Sequence, residues 1–447
     1  MQFLIKVIVL FLIVFNFRVP ILYNTAIVTI IISSIYYIFK REAIPFTYFF
    51  QRYNAVILIG TLGLALVLMF IGFLHNTDIM SLMAKRVLVE FVMLVAIVFA
   101  LPLLIDDKKS TTFEEIAVVI CYAFALQGLI SLTAYLYSPL GNYLMHMKAS
   151  DIILADEEAV LDNRFRYLNL SGTTLVELTA AFGVAHVVFF WLQLKSDHPY
   201  MKEWRRYIIF AFIFLGTVFA GRTGFIGFLL GFGGWLLFSF NSIFTILRRN
   251  MTYIIGSASL VLFIYFIVFS NRQREAFDNE VFPFAFEWYY RYKNEGRAEV
   301  GSMAATQYHY YYLTDETLVE GLGMLAAGGT ARGTEENNGE IYTYSYGHSD
   351  AGYTNTLVFG GIPLLICLII YQSFYFARPI AIALRNNSRT NRIFLVYFLI
   401  LFVYIFIVDI KAPAVGYLHL VEVMYLALGS SYVMQYYSER EQNNLNG

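Results

Sequence analysis

The sequence predicts an all-α polytopic membrane protein with about twelve transmembrane helices. Hydrophobic residues make up 59% of the 447 residues and charged residues only 14%, whereas soluble domains carry about 25% charged residues. Apolar runs close to the length that spans a bilayer recur along most of the chain, and one long polar stretch, residues 271–352, interrupts them. A net charge of −1 leaves no basic footprint, so we expect no nucleic-acid partner.

The apolar runs divide the chain. A membrane-crossing helix needs about 20 mostly apolar residues, and twelve runs approach that length, although the first, seventh and eighth are short. They lie near residues 3–17, 19–39, 55–74, 86–105, 116–137, 174–194, 207–220, 223–239, 252–270, 353–376, 393–409 and 418–436. We therefore expect nine helices within residues 1–270, three within 353–436, and a disordered cytoplasmic tail at 437–447.

Positive charge predicts the orientation, because Lys and Arg collect on the cytoplasmic side of membrane proteins. Placing both termini inside assigns most of the basic residues to inner connections, among them Lys40, Arg41, Arg205, Arg206 and Arg248. The long loop at 271–352 then faces outward, as does a medium loop at 138–172. Long structured loops tend to carry function, so we expect the longer one to be the working part.

The medium loop is strongly acidic. It contains Asp151, Asp156 and Glu157 together with Arg164 and Arg166. We interpret it as a solvated amphipathic segment.

Ionisable residues within the predicted helices are hypotheses about function, because burying charge in a membrane is costly. Glu90, Glu177, Asp409, His419 and Glu422 all lie near the outer ends of their helices. A polar layer confined to the outer leaflet suits work on a lipid headgroup, whereas a conduit needs polar groups at many depths. We select Glu177 and Glu422 as candidate substrate-binding residues. His186 lies deeper and is interpreted as a helix-packing residue.

Three short motifs carry the chemical signal. GRTG at 221–224 places Arg222 between glycines, where the backbone passes close to a ligand and the guanidinium offers a planar fork to phosphate. NEGR at 294–297 supplies Arg297, with Arg291 just before it. EGLG at 320–323 and GHSDAGY at 347–353 end the long loop.

In this order, over roughly residues 207–368, the motifs resemble the O-antigen polymerase and O-antigen ligase superfamily of polytopic membrane glycosyltransferases. Arg222 matches the family's arginine junction, and Arg297 or Arg291 matches the arginines of its long outer loop. The closing motif contains His348 and Asp350 and ends at Tyr353. Ligases usually have His-Asn at this place, so the Asp-x-Gly-Tyr ending is more similar to the repeat-unit polymerases (Wzy-type). Whether His348 or Asp350 occupies the key position stays open.

The resemblance implies a bacterial cytoplasmic (inner) membrane enzyme for O-antigen, capsule or exopolysaccharide synthesis. Such an enzyme transfers a growing glycan from undecaprenyl diphosphate to the terminal sugar hydroxyl of an incoming lipid-linked repeat unit. Arg222 and Arg297, or Arg291, would hold the diphosphate, and His348 or Asp350 would assist the acceptor hydroxyl. Tyr353 would contact substrate. The implied partners are the lipid-linked oligosaccharide, the bilayer, and a chain-length regulator and flippase of the same pathway.

Two alternatives to a polymerase stay open. A ligase that moves lipid-linked glycan to another acceptor needs nearly the same donor chemistry. A transporter or flippase would explain the helices, but transporters rarely need so long and tyrosine-rich a loop.

We expect no metal or other cofactor, since the sequence contains neither a DxD motif nor clustered histidines.

Overall fold

The computed structural model describes residues 2–19, 23–40, 48–105, 112–146, 164–172, 175–195, 198–202, 204–239, 255–296, 318–323, 332–337, 340–345, 352–385, 388–410 and 418–445. In chain order the helices are α1 (Gln2–Phe15), α2 (Thr25–Lys40), α3 (Arg52–Leu74), α4 (Leu82–Leu104), α5 (Thr112–Leu136), α6 (Ser138–His146), α7 (Leu175–Lys195), α8 (Trp204–Ala220), α9 (Thr223–Ser239), α10 (Ile255–Val268), α11 (Asn271–Ala276), α12 (Phe282–Ala285), α13 (Glu287–Glu295), α14 (Gly352–Arg385), α15 (Arg389–Asp409) and α16 (His419–Leu445).

These helices make an all-α protein of the multi-pass membrane class. Six of them, α3, α4, α5, α7, α14 and α15, are long and apolar enough to cross a membrane. Helices satisfy their own backbone polar groups, which is why apolar chain in lipid adopts them. Each of the twelve predicted runs overlaps a helix, although the second, predicted at 19–39, begins several residues before α2. The described strands form two hairpins, Arg18–Val19 with Tyr23–Asn24 and Arg332–Asn337 with Glu340–Ser345.

The predicted disordered tail is wrong for the part of it that the structure describes. Helix α16 continues through the polar sequence SEREQNN to Leu445. Glu, Arg and Gln are good helix formers, and the Gln435 amide donates a hydrogen bond to Glu439 one turn later, at 2.9 Å. The apolar run therefore ends before the helix does.

Helix α7 lies at the centre of the bundle, with 89% of its most apolar window buried, and α9 packs closely along it. Glycines on α9 permit this approach. A Cβ atom added at Gly227 would lie 2.3 Å from the carbonyl oxygen of Gly183 on α7, and one at Gly231 would lie 2.9 Å from the Cα of Val187. Small residues let membrane helices approach in this way. The contact fixes the start of α9, where Arg222 lies, beside the start of α7.

We expect Gly227→Val to unfold or misassemble the protein, because its side chain meets backbone that cannot rotate away. Overpacking costs about 1–3 kcal/mol even against side chains. The matched control is Gly233→Val on the same helix, since a Cβ at Gly233 has nothing within 4 Å. Yield of monodisperse protein and its unfolding temperature measure the effect. Equal stability of the two variants would contradict the close α7–α9 contact.

Helix α14 is broken near its start, and the long loop is attached at the break. Gly361 has φ +63° and ψ −164°, so the helical hydrogen bonds are interrupted there. Backbone N–H groups of Leu322 and Gly323 donate to the carbonyls of Val358 and Phe359, at 2.6 and 2.9 Å. A Cβ at Gly361 would lie 2.5 Å from the Val319 carbonyl oxygen. The EGLG motif therefore anchors the loop to the end of the first part of α14.

Candidate functional site

Arg222 lies in a tight turn between α8 and α9. Gly221, which precedes it, has φ +144°, a conformation that disfavours side chains. A Cβ at Gly221 would also lie 3.1 Å from the Thr179 hydroxyl oxygen of α7. The GRTG motif is therefore explained locally: glycine permits the turn, and the turn presents the arginine at the end of the bundle.

The start of the long loop supplies a counter-charge to this arginine. Arg222 forms an ion pair with Glu287, the first residue of α13. Glu287 also pairs with Arg291 one helical turn later, with 3.2 Å between Nε and Oε1. All three side chains are partly exposed. One carboxylate therefore bridges two guanidinium groups.

A third arginine comes from the medium loop. Arg166 donates a hydrogen bond from Nε to the Ala220 carbonyl at 3.3 Å. Its guanidinium carbon lies 4.4 Å from the ring centre of Phe284, and that of Arg222 lies 5.0 Å from the same ring. We name Arg166, Arg222 and Arg291 the arginine cluster. In this cluster Arg222 and Arg291 both pair with Glu287, and Arg222 and Arg166 lie over the same Phe284 ring.

The cluster is electrostatically suited to an anion. Burial, and then the positive charge of Arg291, lower the pKa of the Arg222 guanidinium. An arginine stays charged at neutral pH. The lowered pKa therefore means that burial and the charge of Arg291 make charged Arg222 less stable here than in water. A bound phosphate reduces that cost, and guanidinium groups match its geometry with paired hydrogen bonds.

The medium loop differs from its interpretation as a solvated segment where the structure describes it. Phe165, Tyr167 and Leu168 are buried, and residues 164–167 form a 3-10 turn against the bundle. Arginines alternate with apolar residues in this stretch. The buried apolar side chains on either side of Arg166 hold the turn in place. The acidic part of the loop, at 151–162, lies outside the described residues.

A cavity of about 430 Å³ lies against Phe165 and Leu168, in the segment that carries Arg166, and its size is within the range of small-molecule sites. Tyr135 and Phe165 provide aromatic surface, and Gln273 and Glu280 provide polar groups. The Phe165 ring packs edge-on against Phe284, with 5.5 Å between ring centres. The ring that contacts two of the arginines is thus also the neighbour of the cavity wall.

The end of the long loop approaches the same region through α15. Tyr353, in the first turn of α14, donates a hydrogen bond to the Phe406 carbonyl at 3.1 Å. Two residues earlier on α15, the Tyr404 hydroxyl donates to the Ala180 carbonyl at 2.9 Å and lies 3.5 Å from the carbonyl oxygen of Thr223. The loop exit and the Arg222 turn therefore contact neighbouring residues of one helix.

The predicted polar layer is enclosed in the bundle. Glu90 accepts a hydrogen bond from Tyr371 and shares one with Glu422, and Tyr371 and Tyr375 hydrogen-bond to each other at 2.7 Å. Both carboxylates are buried. Buried polar groups stabilise a unique packing when they pair with one another, and these residues join α4, α14 and α16.

Glu177 has a structural partner at the start of α16. Its Oε1 accepts a hydrogen bond from the backbone N–H of Leu420 at 3.0 Å and lies 3.0 Å from Nδ1 of His419. An acidic side chain at a helix N-terminus stabilises the helix.

His186 lies deeper in the bundle. It forms a hydrogen bond with Thr217 at 2.9 Å, which confirms the interpretation of His186 as a helix-packing residue.

The predicted site residues thus fall into three groups. Arg222 and Arg291 meet through Glu287, and Tyr353 contacts α15 nearby. Glu177 and Glu422 lie inside the bundle. The predicted residues that lie outside the described part of the chain are Arg297, His348 and Asp350. No group of three or more His, Cys, Asp or Glu side chains in the described part is placed to hold a metal ion.

Sequence reasoning missed two members of the site, Glu287 and Arg166. Glu287 lies four residues before Arg291, a spacing that brings opposite charges together on a helix, so that signal was present. Nothing in the local sequence distinguishes Arg166 from Arg164, because its role depends on contacts with distant Ala220 and Phe284.

The chain matches no protein-family model, no curated protein and no solved structure. The functional argument therefore depends on the chain's own residues and geometry.

Proposed function

We propose that this protein is a polysaccharide repeat-unit polymerase of the bacterial cytoplasmic membrane. It transfers a growing glycan from undecaprenyl diphosphate to the terminal sugar hydroxyl of an incoming lipid-linked repeat unit. The observation that carries the proposal is the arginine cluster, in which the GRTG turn, the medium loop and the start of the long loop meet at one end of an apolar bundle. That place is where a lipid-linked diphosphate reaches the membrane surface.

In the proposed reaction the arginine cluster holds the diphosphate of the donor. The bond between the first sugar carbon and the diphosphate oxygen breaks, and a bond forms from the acceptor hydroxyl oxygen to that carbon. Undecaprenyl diphosphate leaves with the electron pair, and the guanidinium groups stabilise its charge. The acceptor proton passes to a base, for which His348 or Asp350 is proposed. Arg297 is proposed as a further diphosphate ligand.

The aromatic cavity is proposed as the place for sugar rings. Tyr135 and Phe165 offer apolar faces, while Arg272 and Glu280 offer hydrogen bonds. Its wall adjoins Phe284, so a sugar lying there is next to a diphosphate on the arginine cluster. Tyr353 and the buried Glu422 and Glu177 then support the site through packing.

The membrane arrangement proposed here has twelve crossings and both termini in the cytoplasm. The loops at 138–172 and 271–352 face outward, where lipid-linked repeat units are polymerised. A chain-length regulator and a flippase of the same pathway are the proposed protein partners.

Chain extension by purified protein tests the function. Incubation with lipid-linked repeat units is expected to give a ladder of products that stay attached to the undecaprenyl lipid. Transfer of the glycan to a different acceptor, with no ladder, would indicate a ligase. Movement of substrate across proteoliposomes without covalent product would indicate a transporter. Either result would overturn the polymerase proposal.

The orientation is tested separately by labelling intact cells with an impermeant thiol reagent. Cysteines introduced at Asn337 and Asp156 are expected to react, and one at Asn387 is not. The background is a variant without the natural Cys121 and Cys367. The reverse pattern would place the loops in the cytoplasm and exclude polymerisation at the outer face.

We expect Glu287→Gln to tighten binding of inorganic pyrophosphate to the protein about two- to fivefold. The Glu287 carboxylate pairs with two of the guanidinium groups, and pairs at this exposure contribute up to about 1 kcal/mol. Removing its charge lowers the competition that an external anion meets for these guanidinium groups. Titration calorimetry measures the effect, with Glu275→Gln in neighbouring α11 as the charge-matched control. Unchanged or weaker binding would show that Glu287 does not compete with phosphate.

A further inference from the structure

A second basic site lies at the opposite end of the bundle from the arginine cluster. Arg52 begins α3, whereas the other end of α3 reaches His75, whose side chain contacts Gly323 of the long loop. A groove of about 320 Å³ opens between the start of α3 and the last part of α14. Its lining residues are Arg52, Tyr53, Val56, Phe374, Ala377, Arg378 and Ala381.

The groove lies between two antiparallel helices. The helices touch at Gly60, where a Cβ atom would lie 3.1 Å from the Phe374 ring. From that contact to Arg52 the α3 backbone rises about 12 Å, and the groove lies along this distance. The open side is formed by exposed Val56, Ala377 and Ala381, so the groove opens sideways from the apolar bundle, toward the bilayer.

The mouth of the groove is positively charged. Arg52 is exposed, and Arg378 is half-buried with its guanidinium hydrogen-bonded to the Tyr437 hydroxyl. The phenol is neutral and does not compensate the charge of Arg378. Within the described residues, neither arginine forms an ion pair. Two planar guanidinium groups at one mouth suit a phosphate group.

The floor of the groove is apolar. Tyr53 is buried there, and its hydroxyl is already occupied by a hydrogen bond to the Tyr375 carbonyl at 2.7 Å. The Tyr53 ring, Val56 and Phe374 therefore offer hydrocarbon surface below the arginines. A soluble anion can bind only to the arginines at the mouth. A phospholipid can place its phosphate at the arginines and an acyl chain along the apolar floor. Basic pockets between membrane helices bind anionic headgroups in this manner.

We propose that Arg52 and Arg378 hold the phosphate of one anionic phospholipid, with the first part of an acyl chain in the groove between α3 and α14. The alternative is that both arginines extend into the headgroup region without binding a particular lipid, as long basic side chains do at membrane interfaces. The proposal is independent of the polymerase function, because the site shares no residue with the arginine cluster.

Lipid titration of the purified protein in mild detergent tests the proposal. We expect phosphatidylglycerol, but not phosphatidylcholine or inorganic phosphate, to raise the unfolding temperature, and native mass spectrometry to show one retained lipid per chain. The double variant Arg52→Gln/Arg378→Gln is expected to bind phosphatidylglycerol about 30-fold more weakly, from the contribution of two arginines near a membrane surface. Arg385→Gln/Arg389→Gln is the matched control, since it removes the same charge at the same end of the bundle.

Each of the following outcomes would contradict the proposed phospholipid site. Equal stabilisation by inorganic phosphate would show a site for free anions. Equal weakening in both double variants would show a response to overall charge. If the Arg52→Gln/Arg378→Gln variant does not fold, Val56→Trp replaces it, because it fills the groove and keeps both arginines. Retention of phosphatidylglycerol at the parent affinity in Val56→Trp would then exclude the groove.

Discussion

Replacing Arg222 by lysine should reduce the chain-extension rate roughly 100-fold, the cost typical of losing one preorganised donor. The substitution keeps the charge, so the loss isolates the shape of the guanidinium group. Arg222 lies over the face of Phe284 and pairs with Glu287, so these contacts hold its guanidinium group at the end of the bundle. A lysine ammonium is a compact point charge and cannot form the two parallel hydrogen bonds that phosphate accepts.

The control for this experiment is Arg274→Lys. Arg274 belongs to the adjoining part of the long loop and hydrogen-bonds to Asn271 of its own helix, so its replacement should leave the rate unchanged. Both variants must be compared at equal levels of membrane-inserted protein. A parent rate in Arg222→Lys would mean that Arg222 only anchors the start of α9.

The helices were predictable because membrane spanning imposes a local rule. About 20 apolar residues form a helix whatever their neighbours are. The ends were harder to predict. The tenth run was expected at 353–376, whereas α14 extends to Arg385 and is interrupted near Gly361. The sequence contains the two glycines of the break, but the break also depends on hydrogen bonds from Leu322 and Gly323, which belong to the loop.

The residues of the site could be predicted only where a short stretch of sequence marks them. The GRTG turn can be found from glycine spacing, and Arg222 lies in that turn. The partner of Glu177 could not be found in the same way, because His419 and Leu420 lie more than 240 residues later in the chain. Glu177 was expected to bind substrate, and its described contacts stabilise the start of α16. Sequence spacing carries no information about pairs that only tertiary packing brings together.

Replacing His348 by alanine should abolish chain extension while leaving donor binding intact. Its proposed role is to accept the proton of the acceptor hydroxyl, and a histidine has a suitable unperturbed pKa for that step. Asp350→Ala should be strongly impaired, either because Asp350 orients His348 or because it is itself the base. Tyr353, which ends the same motif, contacts α15 two residues from Tyr404, whose hydroxyl lies 3.5 Å from the Thr223 carbonyl next to Arg222.

The decisive comparison separates binding from transfer. His348→Ala should bind inorganic pyrophosphate and lipid-linked donor at the parent affinity, whereas Arg222→Lys should lose both binding and rate. His309→Ala, a histidine elsewhere in the same loop, is the control and should extend chains normally. If His348→Ala and Asp350→Ala both extend chains at the parent rate, the base lies elsewhere.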